Sequence, residues 1–258
     1  MGCLSIETAF FFRRMITKNT IKRIASLQQQ KFRKELGLFV VEGRKTVEEL
    51  LQSHIEVDSV YATQAFLDSN KPLPQAEVVS EVQMQQMSGL DTPPGLLAVA
   101  KIPQNGQIPA SAQLILALDG IANPGNMGTL LRTAEWFGLH DVVCSPDCVE
   151  IWNPKVIQAA MGSAFRINII VAELPHFLPE QKQLGKAIYG ALLEGDNLFE
   201  IKEKPEGILV IGSESHGIRK EVLPCITRPV TIPRVGNSAT ESLNAAVAAG
   251  ILMAELTR

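Results

Sequence analysis

The sequence predicts an α/β protein of two domains, and three observations carry that prediction. Short apolar runs alternate with stretches of helical spacing along most of the chain. The alternation stops at Lys101-Ile-Pro-Gln-Asn-Gly-Gln-Ile-Pro-Ala110, a proline-bearing polar segment, and then restarts. Strands of the second half are apolar throughout, the pattern of a mostly parallel sheet covered on both faces.

In the first half, Ile21, Ile24, Leu27 and, after a polar interruption, Phe32 mark a helical stripe with basic residues around it. Residues 38–41 read as a short strand, Glu42-Gly43 as a turn and 46–51 as a helix. Residues 56–61 mix polar and apolar side chains like a half-buried strand. A strand at 77–79, a helix at 80–87 and a strand at 96–100 complete an α/β unit of roughly 80 residues. The second half opens on a buried strand at 114–118. A helix near 126–137, a strand at 142–143 and a helix near 155–161 follow. Further strands are expected at 167–171, 187–192, 208–211 and 230–232. Residues 242–256 are apolar almost all round, which predicts a buried helix. The domains are placed at 15–104 and 113–258, joined by a linker at 105–112. Residues 1–14 read as a non-native or disordered extension ahead of a start at Met15.

Composition narrows the function classes. The 258 residues are 46% hydrophobic and 20% charged, close to globular averages. No run of 18 apolar residues occurs, so no membrane span is expected. The net charge of −3 argues against nucleic acid as a partner, but its distribution argues for it. Residues 13–45 hold ten basic side chains, Arg13 and Arg14 among them, against two glutamates, a net +8; residues 46–258 carry a net −10. Cys3, Cys144, Cys148 and Cys225 form no C-x-x-C pair and have no histidines at metal-ligand spacing. Neither a disulfide framework nor a metal site is expected, and a reducing cytoplasm is the default compartment. The N-terminus lacks the basic-then-apolar order of a secretory signal, and Ile6 stands where a myristoylation site needs Ser or Thr.

Open α/β sheets bind ligands in loops at the carboxyl ends of their strands, and three such loops carry unusual residues. The first, Asp119 to Gly138, is a glycine- and asparagine-rich turn feeding a helix; its plainest reading has Asn126 as the helix cap and Arg132 paired to Glu135. The second is Gly212-Ser-Glu-Ser-His-Gly-Ile-Arg219. It has the glycine spacing of a P-loop but lacks the Lys and Ser/Thr that phosphates and Mg²⁺ need, and G-x-G-x-x-G is absent. The third runs from Ile232 to Asn244, where Ser238 and Glu241 read as a capping box. Ser242 and Asn244 would then stand in the first turn of an apolar helix, in need of polar partners such as a ligand.

Together the three loops resemble the SpoU (TrmH) family of RNA ribose 2′-O-methyltransferases, within the SPOUT superfamily. Asn123-Pro-x-Asn126-x-Gly-x-x-x-Arg132 resembles the family's first motif, and Gly212-Ser-Glu-Ser-His-Gly217 is similar to its second. Ile232-Pro233, then Ser242-Leu243-Asn244 and a small-residue helix, resembles the third; the likeness covers residues 113–258. The first half, with Leu38-Phe-Val-Val-Glu-Gly43, is similar to the ribosomal-protein-like RNA-binding domain found ahead of many SpoU domains. Two departures stand out. The third loop is about two residues longer than usual, with Arg234 in place of Met, and Gln158 and Ala160 stand where many relatives carry Arg and Ser.

The resemblance implies a parallel sheet ending in a deep trefoil knot, an exception to unknotted topology. It implies S-adenosylmethionine held by main-chain groups of Gly212, Ile232 and Leu243, and a homodimer whose subunits share the active site. By position Arg132 is the catalytic arginine, either a base or a fork gripping a phosphate and polarising the hydroxyl. Asn126, Glu214, Ser242 and Asn244 would orient arginine, ribose and cofactor. RNA contacts are expected at Lys22, Arg23, Lys31, Arg33, Lys34, Arg44 and Lys45. The implied substrate is RNA, rRNA ahead of tRNA, with no metal and no membrane. A non-catalytic RNA-binding or ribosome-assembly protein of the same fold is the alternative; a metal-dependent hydrolase lacks the His/Asp cluster it needs.

Overall fold

The structure is a computed structural model that describes residues 16–71, 73, 75–109, 113–202, 206–236 and 240–258. The expectations for residues 1–14, for a start at Met15, for Arg13 and Arg14, and for a cap at Ser238 lie outside the described residues.

The Thr17 hydroxyl accepts from the Thr20 amide at 3.1 Å and so starts α1 (Lys18–Ser26). The basic helical stripe is two helices, because α1 ends at Leu27 and α2 (Gln30–Leu36) begins after a turn. Gly37, with φ of 63°, closes α2 in the left-handed region and turns the chain into β1 (Leu38–Glu42). Then come α3 (Arg44–Gln52), β2 (Val57–Thr63), α4 (Gln64–Ser69), β3 (Ala76–Val79), α5 (Glu81–Met87) and β4 (Leu96–Lys101). A capping box between Ser80 and Gln83 sets the start of α5. Helix α4 was not expected from the sequence, since its six residues bury none of their number fully and show no stripe. The strands order as β1-β4-β2-β3, with only β2 and β3 parallel. Alternation divides their side chains. Val40, Tyr61, Leu97 and Val99 pack on Ile21, Ile24 and Met84, whereas Phe39, Val41, Leu96 and Ala98 face the second half.

That half runs β5 (Leu114–Asp119), α6 (Pro124–Trp136), β6 (Asp141–Cys144), α7 (Pro154–Ala160), β7 (Asn168–Val171), α8 (Leu174–Gln183), β8 (Ala187–Asn197), β9 (Gly207–Gly212), β10 (Arg228–Thr231) and α9 (Ala245–Leu256). Helices α6 and α7 begin alike: Asn123 and Asn153 cap them with their side chains, and Pro124 and Pro154 fill the first turn. The sheet is β10-β8-β9-β5-β6-β7, parallel throughout, as predicted from its apolar strands. Leu116 and Leu118 of β5 face Leu130, Val156 and Leu252, while Ile115 and Ala117 face Leu174, Leu178 and Val222. Helix α8 was missed because Pro175 and Pro179 interrupt its pattern.

The two halves share one apolar core. Phe39 of β1 stacks 4.7 Å from Trp152 and 6.3 Å from Phe165. The chain between them is not a loose tether: Asn105 exchanges two hydrogen bonds with Val171, and the Gly106 amide donates to the Ile169 carbonyl at 2.9 Å. Among the described residues no helix is long and apolar enough to cross a membrane.

Candidate active site

The carboxyl ends of β5, β9 and β10 and the start of α9 carry the three loops singled out in the sequence. Two of their capping expectations change. Asn123, not Asn126, caps α6: its side chain accepts from Gly125 N at 2.8 Å and Asn126 N at 3.1 Å. Helix α9 begins at Ala245 rather than 242, and Asn244 is its cap, accepting from Ala246 N and Val247 N at 3.0 and 3.2 Å. Ser242 and Asn244 therefore precede the apolar helix instead of standing in its first turn.

Freed from capping, Asn126 joins a directed chain of side chains. Because the Asn244 amide oxygen faces the helix amides, its nitrogen must point away, and it donates to Asn126 Oδ1 at 3.3 Å. That fixes the Asn126 amide in turn, whose nitrogen donates to Glu214 Oε1. Glu214 rides on a loop closed on itself, since Ser213 and Gly217 exchange main-chain hydrogen bonds of 3.0 and 2.9 Å. Asn126, Glu214 and Asn244 are thus brought together from three separated segments. Ser242 is exposed and joins no described hydrogen bond.

Arg132 is not part of that cluster. It lies six residues beyond Asn126 on α6, a rise of about 9 Å and about one and two-thirds turns, and so leaves the helix on another face. It is exposed, with no ion-pair or hydrogen-bond partner among the described residues. The plain pairing with Glu135 does not form. Glu135 is held by Arg166, which keeps its carboxyl below the usual carboxylate range, and Arg166 also reaches Glu49 of α3.

Gly212 ends β9, and a Cβ there would fall inside the main chain of Gly217 and Ile218. The sequence suggested that a side chain would block a ligand; the loop's own packing already forbids one. Ile232 is half-buried just past β10, and Leu243 is 47% exposed with main-chain groups bonded to no described residue. A small strand end, an apolar wall and free main-chain groups suit an adenine nucleoside, so these residues fit S-adenosylmethionine. Among the described residues no group of three or more His, Cys, Asp or Glu is arranged to hold a metal.

A feature the sequence did not single out lies behind the loops. Asp119, fully buried at the end of β5, accepts from Arg219 N and Arg219 Nε at 2.7 Å each, and Arg219 Nη1 lies 3.2 Å from Asp147. Nearby, a hydrogen bond from Cys144 and another from Ser145 lower the Cys148 thiol to about 7, although burial opposes them.

Of the basic side chains expected to meet RNA, Lys22, Arg23, Lys31, Lys34, Arg44 and Lys45 are exposed. Arg23 also reaches Asp58 at 3.4 Å, and Arg44 pairs with Glu48 at 2.8 Å. Arg33 is the correction. It is 1% exposed, donates to the Leu27 carbonyl at 2.7 Å and clamps Glu150 of the second half at 2.6 Å. Its charge is used inside the protein.

Comparison with known proteins gives the family of the chain. Residues 113–254 match the SpoU rRNA Methylase family, and residues 18–98 match the MRM3-like substrate binding domain. The chain is 32% identical over 240 residues to 23S rRNA (guanosine(2553)-2′-O)-methyltransferase RlmP of Bacillus subtilis, covering 92% of this chain and 95% of that one. A structure of the TrmH family from Porphyromonas gingivalis superposes with a TM-score of 0.84 at 37% identity, over 94% of this chain and 98% of the other. An AdoMet-bound rRNA methyltransferase from Sinorhizobium meliloti gives a TM-score of 0.81 at 25% identity, over 94% and 95%. Fold, loops and matches define the class, an S-adenosylmethionine-dependent RNA ribose 2′-O-methyltransferase. The chain belongs to the SpoU rRNA methylase family.

Proposed function

We propose that this enzyme methylates a ribose 2′-hydroxyl of ribosomal RNA, working as a cytoplasmic homodimer. The observation that carries the site is the directed chain Asn244–Asn126–Glu214, which leaves Glu214 as the terminal acceptor at the mouth of the three loops. Bound S-adenosylmethionine supplies the electrophilic methyl group. The protein's part is to hold the ribose oxygen in line and to manage its proton. Glu214 and Asn126 orient the sugar, while Gly212, Ile232 and Leu243 seat the cofactor beside them. Arg132 acts through its fork of N–H donors, gripping the phosphate next to the target ribose and polarising the hydroxyl.

The separation of Arg132 from Glu214 within one chain supports a site shared between subunits. Helix α9 supports the dimer itself. It packs on α6, with Gly250 beside Thr133, yet leaves Val247 52% exposed, and Trp136 of α6 is 82% exposed. An apolar pair of helices with one face open to water suits a second copy. The trefoil knot of the family belongs to the same reading, supported by the superposition on TrmH-family relatives.

The exposed basic residues of α1, α2 and α3 supply sequence-independent RNA affinity that falls with salt. The RlmP relative, matched over both halves, is named for 23S rRNA, which favours rRNA over tRNA. Mapping 2′-O-methyl positions in rRNA and tRNA from cells with and without the protein tests the substrate; a site lost only from tRNA overturns rRNA. In vitro, Arg132→Ala is expected to keep cofactor affinity in a calorimetric titration and to lose most methyl transfer. Full turnover by that variant excludes the role given to Arg132.

A further inference from the structure

The loop that carries Glu214 needs an anchor, because its tip, residues 214–216, is exposed and, among the described residues, hydrogen bonds only within the loop and to Asn126. Two residues tie its outgoing arm to the fold. Ile218 is buried in the apolar layer under the sheet, which fixes depth but not rotation. Arg219 fixes rotation, since its main-chain and Nε N–H groups meet the two different oxygens of one carboxylate at 2.7 Å. That carboxylate, Asp119, stands beside Gly212 in the ladder between β5 and β9, where the loop leaves the sheet. Asp147, from the turn after β6, takes the outer edge of the same guanidinium at 3.2 Å.

We propose that Arg219 is a positioning residue for methyl transfer, holding the 213–217 loop so that Glu214 meets Asn126. Its guanidinium ties together the carboxyl ends of β5, β6 and β9, the three strand ends around which the site is built. A buried carboxylate without a partner is costly, so Asp119 holds the arginine firmly, and only an arginine spans both aspartates with a rigid fork. The role assigned to Arg219 is indirect: it acts through Glu214. The proposal rests on the role given to Glu214 above.

A double-mutant cycle at saturating S-adenosylmethionine tests it. Arg219→Lys keeps a positive charge beside Asp119 but loses the fork. It is expected to lower kcat by up to about a hundredfold, the size of effect that a 1 Å misplacement produces, with the KM for RNA unchanged. In a Glu214→Ala background the same substitution is expected to cost nothing further, because the residue it positions is gone. Losses that multiply, or an Arg219→Lys enzyme with full kcat, overturn the proposal while leaving the reading of the site intact. A fully active Glu214→Ala enzyme overturns that reading, and the proposal with it. If Arg219→Lys does not fold, Asp147→Asn, at a 48% exposed side chain, runs the same cycle with a smaller first step.

Discussion

Arg33 and Arg132 carry the same side chain into opposite surroundings, and their energetics differ accordingly. Arg132 has water on its side and no partner among the described residues, so its replacement is expected to alter function while leaving stability nearly unchanged. Arg33 is enclosed, its Nε and Nη2 donating to Glu150 and its Nη1 to the carbonyl of Leu27, the cap of α1. Removing Glu150 leaves that charge buried and unpaired. Glu150→Ala is expected to cost about 3–5 kcal/mol in denaturant unfolding, and Arg33→Met in the same background to recover part of it. An equal loss in single and double variants contradicts the assignment of the pair as buried. In the sequence Arg132 stood out by its place in the first motif, whereas Arg33 looked like its neighbours Lys31 and Lys34. A helical spacing shows which residues share a face; it does not show which face a second domain will cover.

Helices α6 and α7 show how an element places a residue. They lie so close that a Cβ on Gly128 would come within 2.8 Å of the Ala159 and Ala160 main chain. Gly128→Ala is expected to destabilise the protein by about 1–3 kcal/mol and to lower methyl transfer, because α6 carries both Asn126 and Arg132. Unfolding midpoints with a parallel activity assay check it; unchanged values in both mean the helices have room to separate. The motifs on this element were legible because glycine, asparagine and arginine recur at spacings that no helix needs for itself. The caps were less legible. Asn123 and Asn126 are both good caps, and Pro124, which suits only a first helical turn, decides for Asn123. At α9 the sequence read the cap at Ser238, and that Asn244 caps the helix instead depends on where the loop meets Asn126, which is a tertiary fact.

At the scale of the whole molecule, the charge asymmetry has a spatial meaning. The exposed basic residues of the 22–45 stretch belong to one α/β unit, which shares an apolar core and the Arg33–Glu150 and Arg166–Glu49 pairs with the sheet bearing the site. On the proposed reading, RNA held by the first unit is presented to the second across that shared core. Assembly extends the same logic. Val247→Asp places a charge on the open face of α9 without touching the monomer core, and is expected to shift the protein to a monomer in sedimentation while lowering turnover. A dimer that persists with full activity removes α9 from the interface.

By itself the sequence determined the α/β class, the parallel second sheet, the place of the three loops and the family they resemble. Those features follow from periodicity, glycine spacing and residue type, all of which act over a few positions. Only the tertiary structure decided that Asn244 reaches Asn126 and Glu214, that Asp119 holds Arg219, that Arg33 faces Glu150 and that Arg132 stands apart. Each of those pairings joins residues about a hundred positions apart or, for Arg132, depends on which helix face stays open. Such contacts are set by how strands order in the sheet and by what covers them, and no local pattern encodes that.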